Sequence, residues 1–64
     1  MLAKSIKEFR KKHKVSQEEL AKKAGITYST LIKIESGVNE NPTIKTMRKI
    51  ADALDVSLDE LIGR

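Results

Sequence analysis

Apolar residues recur at helical spacing in five successive stretches of the chain. Spacings of three, four and seven residues place such side chains on one face of an amphipathic helix. The stretches are marked by Leu2, Ile6, Phe9 and His13; by Leu20, Ala21 and Ala24; by Leu31 and Ile34; by Ile44, Met47, Ile50, Ala51 and Leu54; and by Leu58, Leu61 and Ile62. No stretch alternates like a strand between turn signals. The pattern therefore predicts a compact all-α bundle of five short helices and no sheet.

Hydroxyl residues precede four of the predicted helices, and two of them fit a capping box. Ser16 stands three residues before Glu19, so its hydroxyl can accept from the Glu19 amide while the carboxylate reaches back. Ser57 and Glu60 repeat that spacing. The predicted N-caps of helices two to five are Ser16, Thr27, Thr43 and Ser57.

Two glycines stand where a helix must stop. Gly25 separates the second helix from the third and Gly37 follows the third, and glycine readily adopts the left-handed conformation that ends a helix. Ala21 is small, which lets the third helix approach the second closely. So short a turn between two helices is typical of a helix-turn-helix, which leaves the outer face of its second helix free to enter a groove. The polar stretch from Gly37 to Pro42 is expected to be an irregular connection.

Length and composition exclude several classes of protein. A chain of 64 residues holds a single domain, 1–64, and is too small for a deep multi-site cleft. It contains no cysteine and therefore no disulfide or thiolate metal site, which fits a cytoplasmic location. No apolar run approaches the roughly 20 residues of a membrane span. His13 is the only histidine, and no nucleophile, base and orienting group are recognisable together, so we expect no enzyme, metal site or cofactor.

Positive charge is concentrated in the first half of the chain. The net charge is +4: residues 1–33 carry nine Lys or Arg against three Glu, and residues 34–64 carry four against six acidic residues. A basic half suits a polyanionic partner, either nucleic acid or an anionic membrane surface. A lysine-rich surface that only solvates the domain accounts for the same charge equally well.

The motif around Gly25 is part of a longer resemblance. Residues 17–37 are QEELAKKAGITYSTLIKIESG, and the pattern continues through Asn41–Ile44 and Ile50–Leu61. The combined spacing resembles the XRE, or lambda-repressor/Cro-like, DNA-binding family over essentially the whole chain. The resemblance implies a five-helix domain that binds double-stranded DNA sequence-specifically through the major groove, as a repressor-like transcriptional regulator. It also implies a homodimer on a palindromic site.

The resemblance further assigns roles to individual residues. Those expected at base edges are Thr27, Tyr28, Ser29, Ile32 and Lys33. Those expected at phosphates are Arg10, Ser16, Gln17, Ser36, Asn39 and Asn41. An ion pair between Arg10 and Glu35 is expected to tie the first helix to the third.

Helical spacing supports a common face for the proposed base contacts. Tyr28, Ser29, Ile32 and Lys33 lie three and four residues apart, which places them together on the outside of the third helix. Lysine can donate to guanine, and an apolar side chain can contact a thymine methyl group. Each of these residues also has an ordinary interpretation as a solvated surface side chain. Glu40, in the loop after this helix, would repel a phosphate.

Other functions stay open at this level. The same fold serves as a protein-interaction or antitoxin-type module, which an exposed Ile32 and the acidic Glu40 favour. A basic membrane-surface helix through residues 2–14 is a weaker alternative, because its apolar residues are better explained as core. Leu58 and Ile62, four residues apart on the last helix, make either a symmetric dimer contact or ordinary core packing.

Overall fold

The computed structural model describes residues 2–39 and 41–63 as five α-helices and their connections. The helices are α1 (Leu2–Lys12), α2 (Gln17–Ala24), α3 (Tyr28–Glu35), α4 (Ile44–Ala53) and α5 (Leu58–Ile62). These two ranges contain no strand, so the all-α prediction of five helices is confirmed. The longest helix, α1, has 11 residues, and no helix in these ranges is long and apolar enough to cross a bilayer.

One aliphatic core joins all five helices. α2 packs against α3 and α4, α1 packs against α3 and α5, and α4 packs against α5. The buried apolar residues are Ile6, Leu20, Ala21, Ala24, Leu31, Ile34, Ile50, Ala51, Leu54 and Leu61. Complete burial of one Leu or Ile side chain contributes about 1.5–3 kcal/mol. Phe9 is half-buried and Tyr28 is exposed, so the innermost layer contains no aromatic ring.

The predicted N-caps of α2 to α5 are confirmed. The Glu19 amide donates to Ser16 Oγ and the Ser16 amide donates to Glu19 Oε1, both at 3.1 Å. The same reciprocal pair joins Ser57 and Glu60, at 3.0 and 3.1 Å. The pKa of Glu60 lies below its ordinary value. The main cause is the hydrogen bond from the Ser57 backbone amide to the carboxylate, and a smaller cause is the hydrogen bond with the Ser57 hydroxyl. The other two caps are Thr27 and Thr43, which accept from the amides of Thr30 and Thr46.

Three connections between helices share one backbone geometry. One residue of each connection has a positive φ: Lys14 at 56°, Gly25 at 70° and Asp55 at 57°. The amide of the following residue donates to a carbonyl five residues earlier: Val15 to Arg10 at 3.1 Å, Ile26 to Ala21 at 3.0 Å and Val56 to Ala51 at 3.0 Å. This bond is the mark of a Schellman helix end. The left-handed Gly25 was predicted, whereas Lys14 and Asp55 were not.

The connection between α3 and α4 is irregular, as predicted. Gly37 has a φ of 83°, and the Asn39 amide donates to the Lys33 carbonyl at 2.9 Å. Pro42 is buried just before α4 begins. Glu40, which the sequence suggests would repel a phosphate, lies outside the described residues.

Candidate nucleic-acid interface

α3 turns one face to the core and the other to solvent. Leu31, Ile34 and Glu35 are buried. The exposed side chains of this helix are those of Tyr28, Ser29 and Lys33. Tyr28 is 47% exposed, although it is one of only two aromatic residues in the chain. The outward face therefore presents a phenol, a hydroxyl and an ammonium group, all of which can donate hydrogen bonds.

The other two residues predicted to contact bases are less available than these three. Ile32 is half-buried, because it lies at the border between the two faces of α3. The expectation of an exposed Ile32 is therefore wrong, and only part of this side chain is available to a partner. The Thr27 hydroxyl accepts from the Thr30 amide at 3.1 Å and lies 2.7 Å from the Thr30 hydroxyl. Thr27 is exposed but engaged in capping α3.

The elbow between α2 and α3 has the geometry that the sequence predicts. Gly25 is left-handed, with φ 70° and ψ 32°, and its amide bonds back to the last turn of α2. Ala21, in the last turn of α2, is 3% exposed, and its carbonyl accepts from the Ile26 amide. A Cβ at Gly25 would meet no atom within 4 Å. Glycine is therefore favoured here by backbone conformation and not by crowding.

A buried ion pair joins α1 to the C-terminal end of α3. Arg10 Nε lies 3.3 Å from Glu35 Oε2, and Arg10 Nη2 donates to Glu35 Oε1 at 3.3 Å. Arg10 Nη1 donates to the Val15 carbonyl at 3.2 Å, which fastens the turn after α1. The Glu35 side chain is 1% exposed and that of Arg10 is 19% exposed. The structure thus brings together the expected pair, and it directs most of the Arg10 guanidinium inward.

Gln17, an expected phosphate contact, also directs its side chain inward. Its Nε2 donates to Glu35 Oε1 at 3.2 Å, and the residue is half-buried. One hydrogen of the amide group is committed to Glu35, which leaves the second for an acceptor outside the domain. Three helices thereby converge on one carboxylate. Nothing local in the sequence indicates this bond, because its partners lie 18 residues apart.

The remaining candidates for phosphate contact lie around α3 and differ in their free donors. Ser16, Ser36 and Asn41 are exposed, and Asn39 is half-buried. Ser16 Oγ accepts the capping bond, so its hydroxyl hydrogen stays available. Ser36 Oγ donates to the Lys33 carbonyl at 3.2 Å and must rotate before it can donate to a phosphate. Asn39 Oδ1 accepts from the Asn41 amide at 3.2 Å, and no acceptor among the described residues engages the Asn39 amino group.

Two exposed apolar side chains were not predicted, one in the connection after α3 and one at the first residue of α4. Val38 is 76% exposed and Ile44 is 59% exposed.

On α5, Leu58 and Ile62 are half-buried beside the buried Leu61. The exposed lysines of the α1 region are Lys4, Lys7, Lys11, Lys12 and Lys14. Within residues 2–39 and 41–63, no group of three metal-ligating side chains comes together.

The sequence is similar to curated regulators over nearly its whole length. It is 40% identical to the HTH-type transcriptional regulator SinR of Bacillus licheniformis, across 98% of this chain and 57% of that protein. It is 45% identical to the cryptic phage CTXphi transcriptional repressor RstR of Vibrio cholerae, across 77% of this chain and 43% of that protein. The chain therefore spans roughly half the length of these two relatives.

Solved structures share both the fold and the sequence. The N-terminal DNA-binding domain of SinR from Bacillus subtilis matches with a TM-score of 0.94 and 39% identity, over 100% of this chain and 93% of that chain. SinR solved in complex with DNA matches with a TM-score of 0.92 and 40% identity, over 97% of this chain and 98% of that chain. The sequence profile of the helix-turn-helix family covers residues 6–61. The chain accordingly belongs to the XRE-type helix-turn-helix family, as its sequence indicates.

Proposed function

We propose that this domain binds double-stranded DNA sequence-specifically and forms the DNA-binding part of a transcriptional regulator, with α3 in the major groove. The observation that carries the proposal is the exposed face of α3, which the left-handed Gly25 holds clear of the core. A relative that matches this chain with a TM-score of 0.92 was solved in complex with DNA. The curated relatives are named as transcriptional regulators, and one as a repressor, which favours regulation over enzymatic chemistry. A regulator acts where the chromosome is, so we propose a cytoplasmic location.

Base contact is assigned to the outward side of α3. Tyr28, Ser29 and Lys33 carry free donors there, and Lys33 can donate to guanine O6 or N7. Ile32 offers the exposed part of its side chain to a thymine methyl group, and Thr27 stands at the start of the helix. The first turn of α3 contains no acidic residue, so its positive end can approach a polyanion without local repulsion.

Phosphate contact is assigned to the edges of the helix-turn-helix. Ser16 keeps a free hydroxyl hydrogen, Gln17 keeps a free amide hydrogen, and Asn39 keeps its amino group. Asn41 and Ser36 are exposed nearby and complete the set. Contacts of this kind fix the register of a protein on DNA but carry no sequence information. Arg10 is better suited to joining α1 to α3 than to contacting a phosphate, because its guanidinium faces Glu35 and the Val15 carbonyl.

Selection of bound sequences from random duplexes tests the proposal, followed by a salt titration on the selected site. The affinity should fall linearly in log–log form as salt rises, because phosphate contacts release counterions. Lys33→Glu should weaken binding at least tenfold by removing a base contact worth about 1–3 kcal/mol and adding repulsion. The matched control is the same charge reversal at the exposed Lys49 of α4, Lys49→Glu, which should weaken binding much less than Lys33→Glu does. Unchanged affinity in Lys33→Glu would show that α3 does not dock as proposed.

The symmetry of the selected site tests the expected homodimer. A palindrome with half-sites about 34 Å apart, one turn of DNA, would place two copies on it. Leu58 and Ile62 are half-buried on α5 and are our candidates for a contact between the copies. Leu58→Asp should then weaken binding to the full palindrome more than binding to a single half-site.

A protein-interaction or antitoxin-type role is the second candidate. One specific observation favours it: a SinR structure that matches this chain with a TM-score of 0.94 is a complex with the protein SinI. This chain covers 62% of the SinR chain in that complex. If random-duplex selection yields no preferred sequence, this second candidate replaces the first.

A further inference from the structure

We propose that Gln17 is a positioning residue that sets the angle between α2 and α3 through Glu35, and that it thereby controls sequence discrimination more than overall affinity. The proposal rests on the DNA-binding function proposed above. Its basis is the 3.2 Å hydrogen bond from Gln17 Nε2 to Glu35 Oε1, which ties the first residue of α2 to the last residue of α3.

The hydrogen bonds at Glu35 are unevenly shared between its two oxygens. Oε1 accepts from both Arg10 Nη2 and Gln17 Nε2. Oε2 lies 3.3 Å from Arg10 Nε without hydrogen-bond geometry, and neither of these two buried atoms has a hydrogen-bond partner among the described residues. Gln17 therefore binds the oxygen that is already satisfied. Its bond adds little to the solvation of the buried charge, but it adds a link between two helices.

That link spans the two parts of the proposed interface. Ser16 and the N-terminus of α2 lie on the side assigned to a phosphate, and α3 carries the side chains assigned to bases. Phosphate contacts set the register, whereas base contacts depend on correct placement within the groove. The Gly25 elbow fixes the relation of the two helices at one end, where the amides of Gly25 and Ile26 bond back to the last turn of α2. The Gln17–Glu35 bond fixes that relation at the opposite end of both helices.

The test compares two duplexes, one selected from random sequences and one with the same bases shuffled. Gln17→Met keeps the length of the side chain but removes its donors. It should lower the ratio of selected to shuffled affinity about tenfold, because loss of the link lets α3 shift relative to the start of α2 and misplaces the base contacts. A side chain that only contacts a phosphate would lower both affinities equally and leave the ratio unchanged.

Two further variants complete the test. Glu18→Met places the same side chain at the exposed neighbouring position and should leave the ratio within about twofold of the parent. Gln17→Lys keeps a donor for Glu35 and should retain most of the parent's ratio of selected to shuffled affinity. This variant also tests the inference if Gln17→Met proves too unstable to bind. The inference is wrong if Gln17→Met has the same ratio as the parent, or if Gln17→Lys lowers the ratio as much as Gln17→Met does. Either result leaves the proposed DNA-binding function standing. A parent chain that does not prefer the selected duplex overturns the proposed function as well.

Discussion

The turn between α2 and α3 and the turn between α4 and α5 have the same backbone but lead to helices of different character. In each, a left-handed residue is followed by an apolar residue whose amide bonds back at 3.0 Å, and then by a hydroxyl N-cap. α5 has five residues and carries Asp59 and Glu60 in its first turn. α3 has eight residues and no acidic residue in its first turn. Negative charge at a helix N-terminus stabilises the helix and weakens its attraction for a phosphate. α2 shares this feature through Glu18 and Glu19, so the phosphate contacts there are assigned to the side chains of Ser16 and Gln17. The turn itself is therefore a general structural device, and the helix that follows it determines what it can bind.

The surroundings of the two turns differ as well. Arg10, Gln17 and Glu35 form a buried polar network that joins α1, α2 and α3. At the α4–α5 turn, the described side chains form only the exposed capping box of Ser57 and Glu60. A buried ion pair demands accurate geometry, whereas an exposed cap tolerates small movements. The region that we assign to DNA is thus the more tightly constrained of the two.

The largest expected effect comes from removing one partner of the buried ion pair. Arg10→Met leaves the Glu35 carboxylate buried without a counter-charge and should cost about 3–5 kcal/mol in the free energy of unfolding. Urea denaturation followed by circular dichroism measures the loss. The double variant Arg10→Met/Glu35→Leu should recover most of it, since both charges are then gone. A single variant as stable as the double would contradict the idea that uncompensated charge is the cause.

The second effect concerns the left-handed residue at the functional elbow. Gly25→Val should cost about 2 kcal/mol, because a β-branched residue is poorly tolerated at a positive φ. Gly25→Ala should cost about 1 kcal/mol, since no neighbouring atom obstructs a Cβ there. Thermal unfolding ranks the two variants against the parent. Equal stability of all three would remove backbone conformation as the reason for glycine.

A smaller gain is expected where the other turns place ordinary residues at positive φ. Lys14→Gly should stabilise the domain by about 0.5–1 kcal/mol, because lysine is strained in the left-handed region. Asp55→Gly should gain less, since aspartate tolerates this conformation better than lysine does. Thermal unfolding of both variants at neutral pH measures the order. A greater gain at Asp55 would reverse our account of the two turns.

The smallest effect is the pH dependence of the α5 cap. Because the pKa of Glu60 is lower in the folded than in the unfolded chain, its contribution is complete above the ordinary glutamate pKa. It is lost as the pH falls through the lower, folded-state value. Glu60→Gln keeps a capping residue that does not titrate and should flatten this part of the stability–pH curve. Curves of the same slope for parent and variant below pH 5 would show that Glu60 does not contribute.

Much of the fold could be predicted because it follows from local rules. A capping box needs only a serine and a glutamate three residues apart, and both boxes occur where the spacing places them. The left-handed Gly25 was also predictable, because glycine has no Cβ to oppose a positive φ. Lys14 and Asp55 were missed because their residue types only weakly indicate this conformation. Their position two residues before a serine cap, as for Gly25 before Thr27, was the available signal.

The sequence by itself determined the five helices, their caps and the outward face of α3, because each depends on residues within one or two turns of each other. Tertiary structure decided which side chains of that region stay free for a partner. Gln17 turns inward and Ile32 is half-buried, which no local pattern shows, and the inward Arg10 was expected only from the family resemblance. The bonds to Glu35 close over 18 and 25 residues. Whether such distant groups meet depends on how the helices pack, and only the whole core fixes that.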